Sequence, residues 1–384
     1  MQKLRPILLC LTLISALIAS CSPQTMLITI LPRSATPGRT ATSTPSNTPT
    51  SVLLPDATPT SVPSETPAPP PVEVVQWLEQ NAIAFDTTEA GTGCTDLEPL
   101  LEMVGEARVV ALGEATHGTH EFFTMKQRII ECLVQEKDFN LIALEAGWAE
   151  AAHINQEVVL GTDAPLDARN RYPYFGGTSE LWQLITGMQA YNQQAEPTNR
   201  VSLSGFDMQY GDLLVQDVIE YIQEIDPTSL ALIQDNLRCF KKHVINFSAN
   251  PGAELYSQAG ADIQAECRQG LQAVSEVFLS RQADYETASS PARFAEASAE
   301  VSLLIQNEQL MAAADMLTGI NLRDQFMAEN AAWLLEQAGP QAKMVIWAHN
   351  GHVSSARGQW SEAEAAAFGG VTGQDTIPMG TYLR

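Results

Sequence analysis

The chain has 384 residues, 45% of them hydrophobic, and carries 21 basic against 45 acidic side chains, a formal charge of −24. That length suits one large domain or two ordinary ones. The acidic balance makes nucleic acid and an anionic membrane surface poor partners, and a neutral or cationic small molecule an easier one.

The first 21 residues, MQKLRPILLCLTLISALIASC, join a basic start (Lys3, Arg5) to an apolar core from Ile7 to Ile18 and small residues before Cys21. This pattern reads as a secretory signal rather than a permanent span. Its ending, Ile18-Ala19-Ser20-Cys21, looks like a bacterial lipobox, which implies cleavage before Cys21 and lipid on that residue. The alternative is an ordinary signal with an incidental cysteine. The expected protein is extracytoplasmic and meets a bacterial membrane only through that lipid.

Residues 22–71 are dominated by Thr, Pro and Ser and cannot bury enough apolar surface to offset their ordering entropy, so an extended tether is expected. The tether holds Arg33, Arg39, Asp56 and Glu65 and is neutral. Residues 72–384 therefore keep 17 basic and 43 acidic side chains, a formal −26. Four cysteines fall in this part: Cys94, Cys132, Cys239 and Cys267. An even set in an oxidising compartment suggests disulfides with three possible connectivities. The local pairs Cys94–Cys132 and Cys239–Cys267 are favoured because each ties neighbouring elements. Nothing in their spacing reads as zinc.

Four nearly unbroken apolar runs read as strands covered on both faces: 107–112 (ARVVAL), 140–144 (NLIAL), 201–204 (VSLS) and 342–347 (AKMVIW). Between the first two, HEFFTMKQRIIECLVQEK sets Phe122, Met125, Ile129 and Leu133 at helical spacing. A βαβ unit of this kind predicts an α/β fold, a mainly parallel sheet flanked by helices. From about residue 212 to 337 the chain reads as helix, broken at Asp226-Pro227 and near Asn250-Pro251-Gly252. The expectation is one domain over 72–384 with a large helical subdomain, about 209–340, inserted before the last strand.

The first strand is followed by GEATHGTH, with Glu114, His117 and His120, and the second by Glu145. The third runs into Asp207, and the fourth into His349 and His352. Four of the six histidines and three carboxylates thus fall on the carboxyl edge of the sheet, where open α/β folds bind ligands. A histidine beside a carboxylate has a defined tautomer and takes a proton from water near neutral pH. His117, with Glu114 and Glu145 near, fits that role; the alternative is a histidine that satisfies loop backbone. Glu145, at the end of an apolar strand, must be paired, with His117 or as the cap of the helix near Trp148. WAHNGH, with His349 and His352, offers donors for a developing oxyanion, although a plain turn would also use Asn-Gly. His120 ranks below His117 because it also starts the next helix. Of Lys126 and Arg128, one is expected in the pocket and at least one on an exposed face. Asp207 reads as a structural loop carboxylate, and His153 and His243 are given no role.

No Gly-x-Ser-x-Gly elbow, phosphate loop, dinucleotide fingerprint or His-Glu-x-x-His occurs. The histidines and carboxylates leave a metal possible, but no ligand set of known spacing emerges; no cofactor and no metal ligand is assigned.

The segments LGEATHGTHEFFTMKQRIIECLVQEKDFNLIALEAGWAEAAHINQEVVLG, SLSGFDMQ and RDQFMAENAAWLLEQAGPQAKMVIWAHNGHV resemble the erythromycin esterase family, over roughly residues 75–384. The resemblance implies a metal-independent hydrolase in which His117 is the general base, Glu145 is set against it and Glu114 supports the loop. His349 and His352 would line the pocket and polarise the scissile carbonyl. Lys126 stands where relatives commonly have arginine, so a point charge replaces a bidentate fork in substrate anchoring. Relatives are expected to continue with further strand and helix beyond TIPMGTYLR, so the chain reads as shortened. The expected substrate is a small-molecule ester or lactone. Two rivals are a metal-dependent hydrolase using the His/Glu cluster and a non-catalytic, ligand-binding envelope lipoprotein on the same scaffold.

Overall fold

The structure, a computed structural model, describes residues 71–161, 168–245, 255–359 and 375–384. The signal, the lipobox Cys21, the tether over 22–70 and the break at 250–252 lie outside the described residues. The chain divides into two units at Asn81/Ala82. Helix α1 (Val72–Asn81), in one of them, buries no side chain.

Residues 82–384 fold around four parallel strands, β1 (Val109–Glu114), β2 (Leu141–Gly147), β3 (Ser202–Asp207) and β4 (Met344–His349). Their order is β1-β4-β2-β3, so the last of these four strands lies between the first two. Residues alternate between the two faces as strand geometry requires. Val110, Leu112, Ile142, Leu144, Val345 and Trp347 join one apolar core, and Ala111, Leu141, Ala143, Met344, Ile346 and Ala348 join the other.

The first core is closed by α2 (Glu98–Val104), α3 (His120–Lys137) and α5 (Ser179–Asn192); α4 (Trp148–Ile154) follows β2 directly. The face of α3 differs from the sequence reading. Phe122 is exposed and Phe123 buried, and Lys126 and Arg128 both lie inside. Arg128 is tolerated there because its guanidinium bonds both carboxylate oxygens of Asp96 and the carbonyls of Thr87 and Gly93. A disulfide joins Cys94 to Cys132 across the same contact, and a second joins Cys239 to Cys267.

The second core is covered by the helices between β3 and β4: α6 (Gly211–Ile225), α7 (Ala261–Ser280), α8 (Pro291–Met311) and α9 (Met316–Gln337), with shorter pieces between them. The break after α6 falls at Asp226-Pro227, where proline cannot continue the ladder. A further break, with no proline or glycine to mark it, separates α8, which ends at Met311, from α9, which Asp315 starts by accepting from the Thr318 N–H.

All four strands run two or three residues further than their apolar runs. Register pairs Glu114 with His349 and Gly147 with Asp207. The acids and the imidazole expected just beyond the strands therefore occupy their final turns of ladder, at one height on the sheet.

Candidate active site

Two groups of charged side chains sit on this edge. The first is built on β1 and α3. Glu114, the last residue of β1, is buried at 2% exposure, while the His117 side chain is 63% exposed. His117 Nδ1 lies 3.1 Å from Glu114 Oε1. A carboxylate can only accept, so the proton sits on Nδ1 and Nε2 is the basic nitrogen. Gly118, with φ +83°, makes the turn that carries the ring outward. Behind Glu114, the Lys126 ammonium forms an ion pair with it and donates to the Ala348 carbonyl at 3.2 Å. It also lies 4.8 Å from the centre of the Trp347 ring. Burial pulls the Lys126 ammonium well below the usual lysine range. Lys126 is thus buried and spends its charge on Glu114.

The second group is centred on Glu145. Its Oε2 accepts the backbone N–H of His349 at 2.9 Å, and its Oε1 accepts from Arg323 Nη2 at 2.8 Å. Arg323, from α9, also binds Asp207 Oδ2 through Nη2 at 2.6 Å and Nε at 3.1 Å. His352 lies between two carboxylates, Nδ1 at 2.8 Å from Asp324 Oδ1 and Nε2 at 3.2 Å from Glu145 Oε1. Burial alone would lower its pKa; the bonds to Asp324 and Glu145 outweigh burial and hold it at about 9. Arg323 Nη1 lies 3.1 Å from the same Nε2. With an acid at each nitrogen the ring is an imidazolium, and Nε2–H and Nη2–H both converge on Glu145 Oε1. For Glu145 itself, burial would raise the carboxyl pKa, but His352, Arg323 and the His349 N–H hold it far below the usual range. Glu145 is a fixed anion.

The two groups meet at His349. Its ring centre is 5.1 Å from that of His117 and 6.4 Å from that of His352. Nε2–H donates to the Ala115 carbonyl and Nδ1 accepts the Gly351 N–H, each at 3.1 Å. Burial, the largest influence, lowers its pKa, so the ring is neutral.

These contacts bring Glu114, His117, Lys126, Glu145, His349 and His352 to one rim, and they revise several expected roles. Glu145 is bonded to Arg323, His352 and the His349 backbone rather than to His117, and α4 begins with Gly147 as its cap. Neither ring nitrogen of His349 is left to polarise a carbonyl. His352 spends both nitrogens on acids. His120 does start α3, and its Nδ1 bonds Glu180 at 2.5 Å on an exposed surface. Asp207 is the buried counter-ion of Arg323 rather than a loop carboxylate. Among the described residues no three of His, Cys, Asp and Glu converge as a metal-ligand set. A cavity of about 320 Å³ lies against Trp148 and Trp333, lined by α8 and α9, and includes none of these groups.

Arg323 and Asp324 are the residues that sequence reasoning missed. Their signal was indirect: buried Glu145 and Asp207 demanded a cation, and RDQFMAEN opens one of the segments that carry the family resemblance.

With this geometry the chain falls in the α/β class that presents acid-supported histidines at the carboxyl edge of a parallel sheet. A sequence model of the erythromycin esterase family matches residues 134–384. The chain belongs to the erythromycin esterase family. It is 24% identical over 299 residues to erythromycin esterase type II of Escherichia coli, covering 72% of this chain and 68% of that protein. It is 22% identical over 290 residues to YbfO of Bacillus subtilis (strain 168), provisionally named a hydrolase, covering 72% and 63%. Among solved structures, a Bacillus cereus protein superposes with a TM-score of 0.66 at 26% identity, over 81% of this chain and 71% of that one. A mutant of the erythromycin esterase EreC in its open conformation superposes at 0.58 and 20% identity, over 76% and 70%. The last shows the fold alone.

Proposed function

We propose that the protein is a carboxylic ester hydrolase that cleaves a small-molecule ester or lactone with water activated by His117. The observation that carries this reading is the His117–Glu114 pair: a buried acid fixes the ring's tautomer and leaves the basic Nε2 on an exposed ring. Nε2 takes a proton as water attacks the carbonyl carbon. The tetrahedral intermediate then expels its alkoxide, which takes the same proton, giving acid and alcohol. Glu114 stays ionised and steadies the imidazolium between the two steps. Family membership supports the hydrolase class. Macrolide lactones enter as candidates because two of the similar proteins carry the erythromycin esterase name.

The test is a panel of p-nitrophenyl esters and macrolides assayed with wild type and His117→Ala. The variant is expected to lose about 10²- to 10⁴-fold in kcat while keeping its melting temperature, since the ring is exposed. Unchanged turnover of a confirmed substrate would sink the proposal. We further propose that Cys21 is lipidated and anchors the domain outside the cytoplasm. Cys21→Ser is then expected to move the protein from the membrane to the soluble fraction.

A further inference from the structure

Asp324 is buried in α9, next to Arg323, which the same helix supplies to the rim. A single oxygen of it, Oδ1, accepts from His352 at 2.8 Å and from the Met379 N–H at 2.7 Å. Residues 375–382 are fastened to α9 a second time through Asn321, which donates to the Asp375 carbonyl and accepts the Ile377 N–H. They also press on the His352 turn: a Cβ at Gly380 would overlap the carbonyls of Val353 and Ser354. From Asp324 the contacts run on without a gap. His352 bonds Glu145, Glu145 bonds the His349 N–H, and the His349 ring bonds the Ala115 carbonyl, two residues from His117.

We propose that Asp324 is a positioning residue that clamps the His352 ring against Glu145 and, through Glu145 and His349, sets the loop that carries His117. The C-terminal strap is part of this clamp, because the same carboxylate oxygen holds Met379. The proposal deepens the hydrolase reading and rests on it for its catalytic consequence; the clamp itself is a statement about ring ionisation and position. A carboxylate is needed at 324 rather than any acceptor. The ring already faces Glu145 on the other side, and only a second negative charge offsets both its burial and the neighbouring Arg323 guanidinium. The charged or titrating groups that face His352 are Asp324 and Arg323 from α9, Glu145 from β2 and His349 from β4; Tyr382 of the strap faces Asp324.

Asp324→Asn is the informative change, since the amide keeps the size and one acceptor while removing the charge. In the folded full chain, the ring NMR titration of His352 is expected to move down by about one unit or more, and the ring signals of His349 and His117 to shift with it. With p-nitrophenyl acetate, kcat is expected to fall at least tenfold with KM little changed, and the alkaline limb of the rate profile to move toward lower pH. Asp324→Glu, which restores the charge, is expected to recover part of both effects. A His352 midpoint that stays in place in folded Asp324→Asn overturns the proposal. Should that variant not fold, the wild-type titration decides: a His352 midpoint near the unperturbed imidazole value overturns it equally. If wild type does not cleave the ester at all, the hydrolase reading is what fails, and the NMR titration still passes judgement on the clamp.

Discussion

At the scale of single residues, the rim is a balance of charges rather than a set of free donors. Arg323 serves two buried acids, Glu145 and Asp207. Removing it leaves both uncompensated, which costs far more than a surface ion pair. Arg323→Met is expected to destabilise the domain by about 3 kcal/mol, read as a lower urea midpoint. His352 gives the stability a pH dependence. Its folded pKa, about 9, lies above the unfolded imidazole value of about 6.5. The stabilisation is therefore complete below pH ~6.5 and is lost as pH climbs toward ~9. Burial of Lys126, which lowers its pKa, acts in the opposite sense at alkaline pH. The comparison that isolates His352 is wild type against His352→Gln, whose urea midpoints are expected to converge as pH rises from 6 to 9.5. Glu114, His117, Glu145, His349 and His352 were legible in the sequence because each sits where an apolar run ends. Arg323 and Asp324 were not, because in a polar-flanked helix they have the spacing of solvent-facing residues, and only three-dimensional contact reveals which acids they meet.

At the scale of elements, sequence periodicity located every strand of the main sheet but ended each one too early. Apolar runs stop where polar residues begin, whereas the hydrogen-bonded ladder continues as long as those polar residues are paired. In β2 the pairing with β3 passes Leu144 across a register shift and resumes at Gly147 with Asp207. The same limit explains α3, where Lys126 and Arg128 were divided between pocket and solvent although both are inside. Arg128 is the side chain that fastens residues 87–96 to the helix, and the Cys94–Cys132 bond closes the same seam. Reducing the disulfides is expected to lower stability by about 2–4 kcal/mol for a bond of this loop size, seen as an earlier thermal transition with dithiothreitol. Gly113 shows how closely β1 meets the turn after β4. A Cβ there would overlap Asn350 Oδ1 and the Val353 side chain. Gly113→Ala is expected to displace that turn, lower stability by about 1–3 kcal/mol and reduce ester turnover, because His349 caps the turn and His352 lies within it.

At the scale of the whole molecule, the sheet order β1-β4-β2-β3 has a consequence for how the protein is made. The strand that fills the gap between β1 and β2 is the last of the four to be synthesised, after the entire helical block from Gly211 to Gln337. A chain emerging from the ribosome as far as residue 340 has two apolar strand edges and nothing to lie between them, so it has no finished sheet and no assembled rim. The sheet therefore cannot be finished before β4 itself has been made. Late closure concentrates the risk of misassembly in β4, where one short strand completes both cores at once.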